Sequence, residues 1–263
     1  GQGRIMRYAG PRQPELLEPR TMLSADPIEF GAVYVEQDLG SDAHADTIEI
    51  TFEGGAPNTQ LSWVEIFGDK LTPGLSFADM IFDTQSTGLG VDLAHDGLIA
   101  DFEGDFEAII SVEDGSSTLR IDLNRFEAGE KLTLSIDVDE VQDYDPDQTN
   151  LELINEDLDP IASGAEFQGS LLTGYFTAAH YYDAEATAEF RNRYDANLQP
   201  TSLDLPLDDE GNNRDRTAGA VGELQQSPLP ISISGTVYED RNANLNQDPG
   251  DPGIRDVELA LYT

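Results

Sequence analysis

The chain has 263 residues, of which 38% are hydrophobic, so it is long and apolar enough for one large β domain or two ordinary ones. Its 52 acidic and 14 basic residues give a formal net charge of −38, which repels nucleic acid and anionic membranes and attracts cations wherever carboxylates converge. The absence of cysteine excludes disulfides, thiol catalysis and thiolate metal sites. No apolar run is long enough to predict a transmembrane segment.

Residues 1–27 form a basic leader ahead of an acidic body, with Arg4, Arg7, Arg12 and Arg20 in it. The stretch LLEPRTMLSAD (16–26) resembles the LEPR motif near the N terminus of large planctomycete surface and secreted proteins, with Met22 where that family usually has leucine. The matching residues are Leu17, Glu18, Pro19, Arg20, Leu23, Ser24 and Ala25. The resemblance implies export, to a secreted or cell-surface location.

Residues 28–227 are predicted to be rich in β-strands. The stretch DTIEITFEGG (46–55) places Ile48, Ile50 and Phe52 on one face. Residues 118–141 repeat this alternation twice, with apolar residues at Leu119, Ile121 and Leu123 and then at Leu132, Leu134, Ile136 and Val138. Period-two alternation is typical of antiparallel sheets with one buried face, and it predicts an all-β, acidic antiparallel β-sandwich of roughly eight or more short strands.

Two segments of this region carry other local signals. Asp114 and Gly115 lie between two predicted strands and form a turn pair that predicts a hairpin. The stretch AEATAEFRNRYDANL (184–198) has a helix-forming composition but poor apolar spacing, so a helical turn and a loop remain alternatives.

A second acidic run, DVDEVQDYDPDQ (137–148), includes Asp137, Asp139 and Glu140. It ends in Asp143, Asp145 and Asp147, which have the one-three-five spacing of calcium ligands. Pro146 and the lack of an acid at position twelve weaken a cation site there, so this run is interpreted as a solvated strand exit.

The sequence lacks the usual motifs of catalysis. It has no nucleophile elbow, zincin helix, P-loop or dinucleotide-binding glycine motif placed after a strand. His44, His95 and His180 are scattered, which favours surface or packing roles. We therefore predict that the chain is not an enzyme, although its many acids leave a glycosidase-type carboxylate pair as a third alternative.

Pro228 and Pro230 predict a linker at residues 228–230, and residues 231–263 then form a second domain. Apolar residues alternate at Ile231, Ile233 and Val237 and again at Val257, Leu259 and Leu261, which predicts a strand on each side of a loop. Counted from Asp240 as position one, Asn242, Asn244, Asn246, Asp248 and Asp251 occupy positions three, five, seven, nine and twelve.

These are the ligand positions of a twelve-residue calcium loop, in which Asn246 would offer its backbone carbonyl. Leu245 stands at position six, where glycine is usual, and Asp251 replaces the longer glutamate at position twelve. The sequence therefore predicts a weak Ca²⁺ site.

Residues 233–261 resemble the opening of the B-type repeat of serine-aspartate repeat adhesins (SdrD B-like), which is close to the collagen-adhesin B-type modules. The residues that agree are Ser234, Gly235, Val237, Tyr238, Asp240, Asn242, Asn244, Asp248, Gly250, Gly253, Ile254 and Val257. The resemblance implies the first strands of a calcium-bearing β-sandwich. We expect residues 231–263 to pack poorly or to lean on the first domain.

Together these features predict a non-enzymatic structural or adhesive segment of an extracellular or cell-surface protein, with a calcium-stabilised stalk-type repeat. Its partner would be an extracellular protein or polysaccharide. The alternative is a carbohydrate- or protein-binding β-sandwich module, for which joint exposure of the aromatic rings on one face would be the favourable sign and burial the unfavourable one. The rings concerned are Trp63, Phe67, Tyr175, Phe176, Tyr181 and Tyr182.

Overall fold

The structure is a computed structural model that describes residues 25–37, 44–91, 93, 97–192, 216–230 and 236–255. One compact unit spans Ala25–Leu229, and residues 236–255 belong to a second. The leader with its LEPR motif lies outside the described residues except for Ala25 and the two that follow it. So do the predicted strand residues Ile231, Ile233, Val257, Leu259 and Leu261.

In its described residues, the first unit contains thirteen strands and two short helices. The strands are β1 Asp26–Val35, β2 Asp46–Gly55, β3 Gln60–Phe67, β4 Met80–Asp83, β5 Ile99–Glu103, β6 Glu107–Val112, β7 Thr118–Glu127, β8 Lys131–Val141, β9 Leu158–Asp159, β10 Leu171–Thr177, β11 Ala184–Glu189, β12 Arg191–Asn192 and β13 Thr217–Leu224. The helices are α1 Leu151–Asn155 and α2 Gly164–Phe167. No helix in the described part of the chain is long and apolar enough to span a membrane.

The strands form two antiparallel sheets, which confirms the predicted all-β sandwich. The eight-stranded sheet runs β12-β13-β1-β2-β8-β4, with β5 and β9 also paired to β8. The five-stranded sheet runs β11-β10-β3-β7-β6. Strand β8 links several strands of the larger sheet. It pairs with β2 and β5 along its first half and with β4 and β9 along its second half.

The apolar faces of the two sheets meet in one hydrophobic core. The residues predicted to point inward from β2, β7 and β8 are all buried there. Phe52 of the larger sheet contacts Phe126 and Phe176 of the smaller one, with ring centroids 6.0 and 5.3 Å apart. Gly222 lies opposite Phe30, and a Cβ atom added there would come within 2.3 Å of the Phe30 ring, so the close approach of β13 to β1 requires glycine.

The hairpin predicted at Asp114 and Gly115 is confirmed, because it joins β6 to β7 and Gly115 has a φ of +68°. The segment 184–198 is different from the helical turn or loop considered above, since its first six residues are strand β11. Its alanines alternate with Glu185, Thr187 and Glu189, and small residues on the inner face leave room for the core without a strong apolar signal. Residues 193–198 lie outside the described part.

We predict that Phe52→Ala lowers the free energy of unfolding by about 3–5 kcal/mol, because it leaves a cavity between the two sheets. The matched control is Ile109→Ala on β6, where the side chain is exposed, and it should change stability by less than about 0.5 kcal/mol. Urea unfolding followed by fluorescence measures both. Equal effects of the two substitutions would contradict the packing described here.

Candidate functional site

The predicted metal loop is closed by a short antiparallel contact between its two ends. Tyr238 and Gly253 form a bridge, in which the Ile254 N–H donates to the Val237 carbonyl at 2.8 Å and the Glu239 N–H donates to the Pro252 carbonyl at 3.0 Å. The residues from Asp240 to Asp251 are therefore held as a loop between two adjacent backbone segments.

Side-chain oxygens at positions one, three and five accept backbone N–H groups inside the loop. Asp240 accepts from Asn244 and Leu245, at 3.2 and 2.7 Å. Asn242 and Asn244 each accept from the N–H two residues later, at 3.1 and 2.8 Å. These bonds fix the tight turns of the first half of the loop.

Asp248 and Asp251 complete the loop from the other side. Asp248 Oδ2 accepts the Nδ2 groups of Asn242 and Asn244, at 2.6 and 2.7 Å. Asp251 is 9% exposed and accepts the N–H groups of Arg241 and Asp248, at 3.2 and 2.9 Å. The five predicted side-chain ligands thus belong to one hydrogen-bonded network, whereas Asn246, which was predicted to offer its backbone carbonyl, donates its Nδ2 group to the Asn244 carbonyl at 3.2 Å.

The donor set fits a hard cation, because carboxylate and amide oxygens are the groups that Ca²⁺ prefers. In this arrangement, however, two amide N–H groups point at Asp248 and compensate its charge. For the ion to bind, these two amides would have to rotate and present their oxygens instead. Within the described residues, no three carboxylate or imidazole groups stand in the geometry of a metal site.

Leu245 adopts a φ of +66°, the left-handed conformation that glycine favours. Its side chain is 84% exposed, so little burial offsets the cost of this conformation. The backbone at position six therefore adopts the left-handed turn of a calcium loop. Because the residue there is leucine and not glycine, this conformation raises the free energy of the loop.

A group of buried carboxyl residues lies in the first unit, around the second half of β8. Asp137, Asp139 and Glu140 are buried, as are Asp79 and Asp83. The interpretation of residues 137–148 as a solvated strand exit is therefore wrong for the three that lie in β8, and it holds for Asp143, Asp145 and Asp147, which are exposed. Over the outer face of this half of β8, Ile81, Val141 and Leu158 form a small apolar cluster, against which the partly buried Leu89 and Val91 pack.

Burial changes the proton affinity of two groups in this region. It raises the pKa of Glu140 to about 7, the negative charge of Glu166 adds to the increase, and Lys70 opposes it. Burial also lowers the pKa of Lys70, whose Nζ donates to the Glu166 carbonyl at 2.6 Å. Asp79 accepts the N–H groups of Lys70 and Ser76, each at 2.7 Å, which anchors the turn between β3 and β4.

Three of the six rings singled out in the sequence, those of Trp63, Phe67 and Tyr175, share the outer face of the five-stranded sheet and are half-buried. Trp63 and Tyr175 stack with centroids 5.5 Å apart, and the Arg120 guanidinium lies 3.8 Å from the Trp63 ring. Tyr175 and Arg120 come from strands on opposite sides of β3, so Trp63 is contacted from both neighbours.

The other three rings do not extend this face. Phe176 is in the core, Tyr182 is exposed, and Tyr181 is half-buried and forms a bridge with Pro228. His44 and His180 are exposed, and His95 lies outside the described residues.

No protein-family model, curated protein or solved structure matches the chain.

We predict that Glu140 makes the protein less stable as the pH rises. Its pKa is about 7 in the folded chain against an ordinary 4.5, so its stabilising proton is fully present below about pH 4.5 and is lost as the pH rises through 7. Glu140→Gln should therefore gain on the order of 2–3 kcal/mol relative to the original chain between pH 5 and pH 8.

Urea unfolding at a series of pH values measures this difference. The matched control is Glu103→Gln on β5, which also removes one carboxylate beside β8 but at an exposed position. A stability difference between Glu140→Gln and the original chain that does not vary with pH would contradict the prediction.

Proposed function

We propose that this chain is a non-enzymatic structural segment of a large extracellular or cell-surface protein, in which the loop from Asp240 to Asp251 binds Ca²⁺. The observation that carries the proposal is the convergence of five oxygen-bearing side chains in one loop whose ends are held together by backbone hydrogen bonds. Because the spacing of those residues matches a calcium loop, the gathering of their oxygens supports a cation as the ligand.

The composition supports the same proposal. A chain with a net charge of −38 benefits from divalent cations, which compensate clustered carboxylates. The absence of cysteine means that disulfides do not cross-link it, so a bound cation is one remaining way to stiffen a stalk. The LEPR-like leader supports export of the protein.

The expected contribution of calcium is modest. Extracellular calcium modules bind with dissociation constants of about 0.1–1 mM, so a medium with roughly millimolar calcium stabilises the loop by about 0.4–1.4 kcal/mol. Calcium would therefore stiffen the loop without deciding whether the sandwich folds.

A carbohydrate- or protein-binding module remains the second candidate, favoured by the shared outer face of Trp63, Phe67 and Tyr175. Sugar rings stack on an open aromatic face, and Arg120 covers the ring of Trp63. Carbohydrate binding there would require Arg120 to leave its ion pairs with Glu65 and Asp122. The structural proposal requires only that the side-chain amides of Asn242 and Asn244 rotate, and it is the one we favour.

We predict that calorimetric titration of the full chain with CaCl₂ gives one weak binding event, with a dissociation constant on the order of 0.1–1 mM. Asp240→Ala and Asp248→Ala should each abolish it, because each removes a carboxylate from the loop. Asp143→Asn, which removes an exposed acid elsewhere, should leave it unchanged. Absence of calcium-dependent heat from the original chain, or equal binding by the Asp240→Ala chain, would refute the proposed site.

We predict that Leu245→Gly increases the apparent calcium affinity by up to about fivefold. Glycine removes the cost of a positive φ, so a larger fraction of chains hold the loop in its closed form before the ion arrives. Leu245→Ala is the matched control, since it removes the exposed side chain but keeps the conformational cost. The same titration measures both chains, and an equal gain for alanine and glycine would contradict this explanation.

A further inference from the structure

The outer face of the five-stranded sheet carries a row of side chains that crosses four strands. Side chains stand roughly perpendicular to a sheet, so rings on neighbouring strands can meet face to face. Trp63 of β3 and Tyr175 of β10 are cross-strand partners, and their rings lie within 6° of parallel. Asp122 of β7 is the partner of Trp63 on one side, and Glu185 of β11 is the partner of Tyr175 on the other. The two stacked rings therefore have a carboxylate beyond each end.

At the β7 end of this row, the chain itself supplies a cation. The Arg120 guanidinium lies 3.8 Å from the centre of the Trp63 ring. Its Nε and Nη2 atoms both donate to Asp122 Oδ1, at 3.1 and 3.0 Å, and its Nη1 atom lies 3.8 Å from Glu65 Oε2. The ring attracts the guanidinium through its π electrons, and the carboxylates attract it through their charge.

At the β11 end, a ring and two carboxylates are present, but the strands supply no cation. Tyr175 is half-buried, and the face of its ring opposite Trp63 is turned toward β11, the edge strand of the sheet. Glu185 is exposed on that strand. Asp183 is also exposed and accepts the Tyr175 hydroxyl at 2.8 Å, which fixes the ring. Residues 171–190 include neither lysine nor arginine, so the β10–β11 hairpin cannot itself provide the guanidinium that Arg120 provides at the other end.

The charge around Tyr175 favours a cationic ligand. The hydrogen bond to Asp183 raises the pKa of Tyr175, desolvation adds to the increase, and so do the negative charges of Asp183 and Glu185. The net charge of −38 attracts cations to the surface and repels carboxylate or phosphate ligands. Among cationic side chains, arginine fits best, because its planar guanidinium stacks on an aromatic ring and donates to carboxylates in a fork.

We propose that Tyr175, Asp183 and Glu185 form a binding site for an arginine side chain of a partner protein. The guanidinium stacks on the ring face opposite Trp63 and donates to the two carboxylates. This differs from carbohydrate binding on the same face, since Arg120 keeps its place on the Trp63 ring. The site is also independent of the calcium loop.

The test titrates the full chain with the peptide Ac-Gly-Arg-Gly-NH₂ and follows NMR chemical shifts at single residues, which detect weak binding. We expect saturable shifts at the Tyr175 ring, at the Glu185 amide and at the indole N–H of Trp63, the single tryptophan of the chain. EDTA removes calcium, so the outcome does not depend on the loop from Asp240 to Asp251. Salt at about 150 mM screens non-specific attraction to the acidic surface.

A peptide with citrulline in place of arginine is the matched control for the ligand. Citrulline has nearly the same shape and no charge, so it should cause no saturable shifts at Tyr175 or Glu185. Equal shifts with the two peptides would overturn the proposed site. So would shifts from the arginine peptide that spread evenly over the acidic residues of the sandwich.

Two substitutions test the proposed contacts. Glu185→Gln removes a carboxylate, and Tyr175→Leu keeps an apolar side chain but removes the ring, so each should weaken arginine binding about two- to fivefold. Glu107→Gln is the matched control, because it removes an exposed acid from β6 at the opposite edge of the same sheet, and it should leave binding unchanged. Glu185 is exposed, so its substitution tests the site even where Tyr175→Leu does not fold. Equal affinities of the Glu185→Gln chain and the original chain would overturn the proposal.

Discussion

A shortage of basic residues constrains every carboxyl group that this protein buries. With 14 basic residues against 52 acidic ones, ion pairs can compensate only a minority of the carboxylates. A buried carboxylate without compensation costs several kcal/mol, so the fold must supply N–H donors, hydroxyl donors or a proton. Asp79 and Asp251 are each held by two backbone N–H groups, and burial raises the pKa of Glu140 to about 7, which favours its protonated form. The local structure around each buried carboxyl group therefore depends on whether N–H donors, hydroxyl donors or a proton compensate its charge.

Strand β8 shows how this constraint is built into the fold. Its inner face supplies Leu132, Leu134, Ile136 and Val138 to the core between the sheets. Its outer face carries Asp137 and Asp139, and these are also buried, beside the apolar cluster of Ile81, Val141 and Leu158. A single strand therefore contributes both to the hydrophobic core and to a group of buried carboxyl residues.

The sandwich could be predicted from the sequence in those strands that have one apolar face and one solvent-exposed face, because apolar and polar residues alternate along them. Alternation in β2, β7 and β8 identified the buried residues, and Asp114-Gly115 identified a hairpin. The burial of Asp137, Asp139 and Glu140 was not predictable, because alternation shows which face is polar but not what covers it. Strand β11 was missed because its inward residues are alanines, which fit helix and sheet alike, and α1 and α2 are too short to produce a helical period.

The candidate loop was predictable in part. The spacing from Asp240 to Asp251 indicated which oxygens would gather, and the structure brings five of those side chains into one network. It did not indicate that Asn242 and Asn244 would turn their amide N–H groups toward Asp248, since the rotation of a terminal amide depends on local hydrogen bonds. The calcium binding that we propose for the loop and the protonation of Glu140 in β8 would both compensate the same excess of negative charge.

The most direct test of this account is the number of protons exchanged when the full chain unfolds at pH 6. Calorimetric unfolding in buffers with different ionisation enthalpies gives that number. Because burial raises the pKa of Glu140 to about 7 and that of Asp83 to about 6 in the folded chain, unfolding at pH 6 should release about one proton. An uptake of protons on unfolding, or no exchange at all, would contradict the claim that this fold buries protonated carboxyl groups.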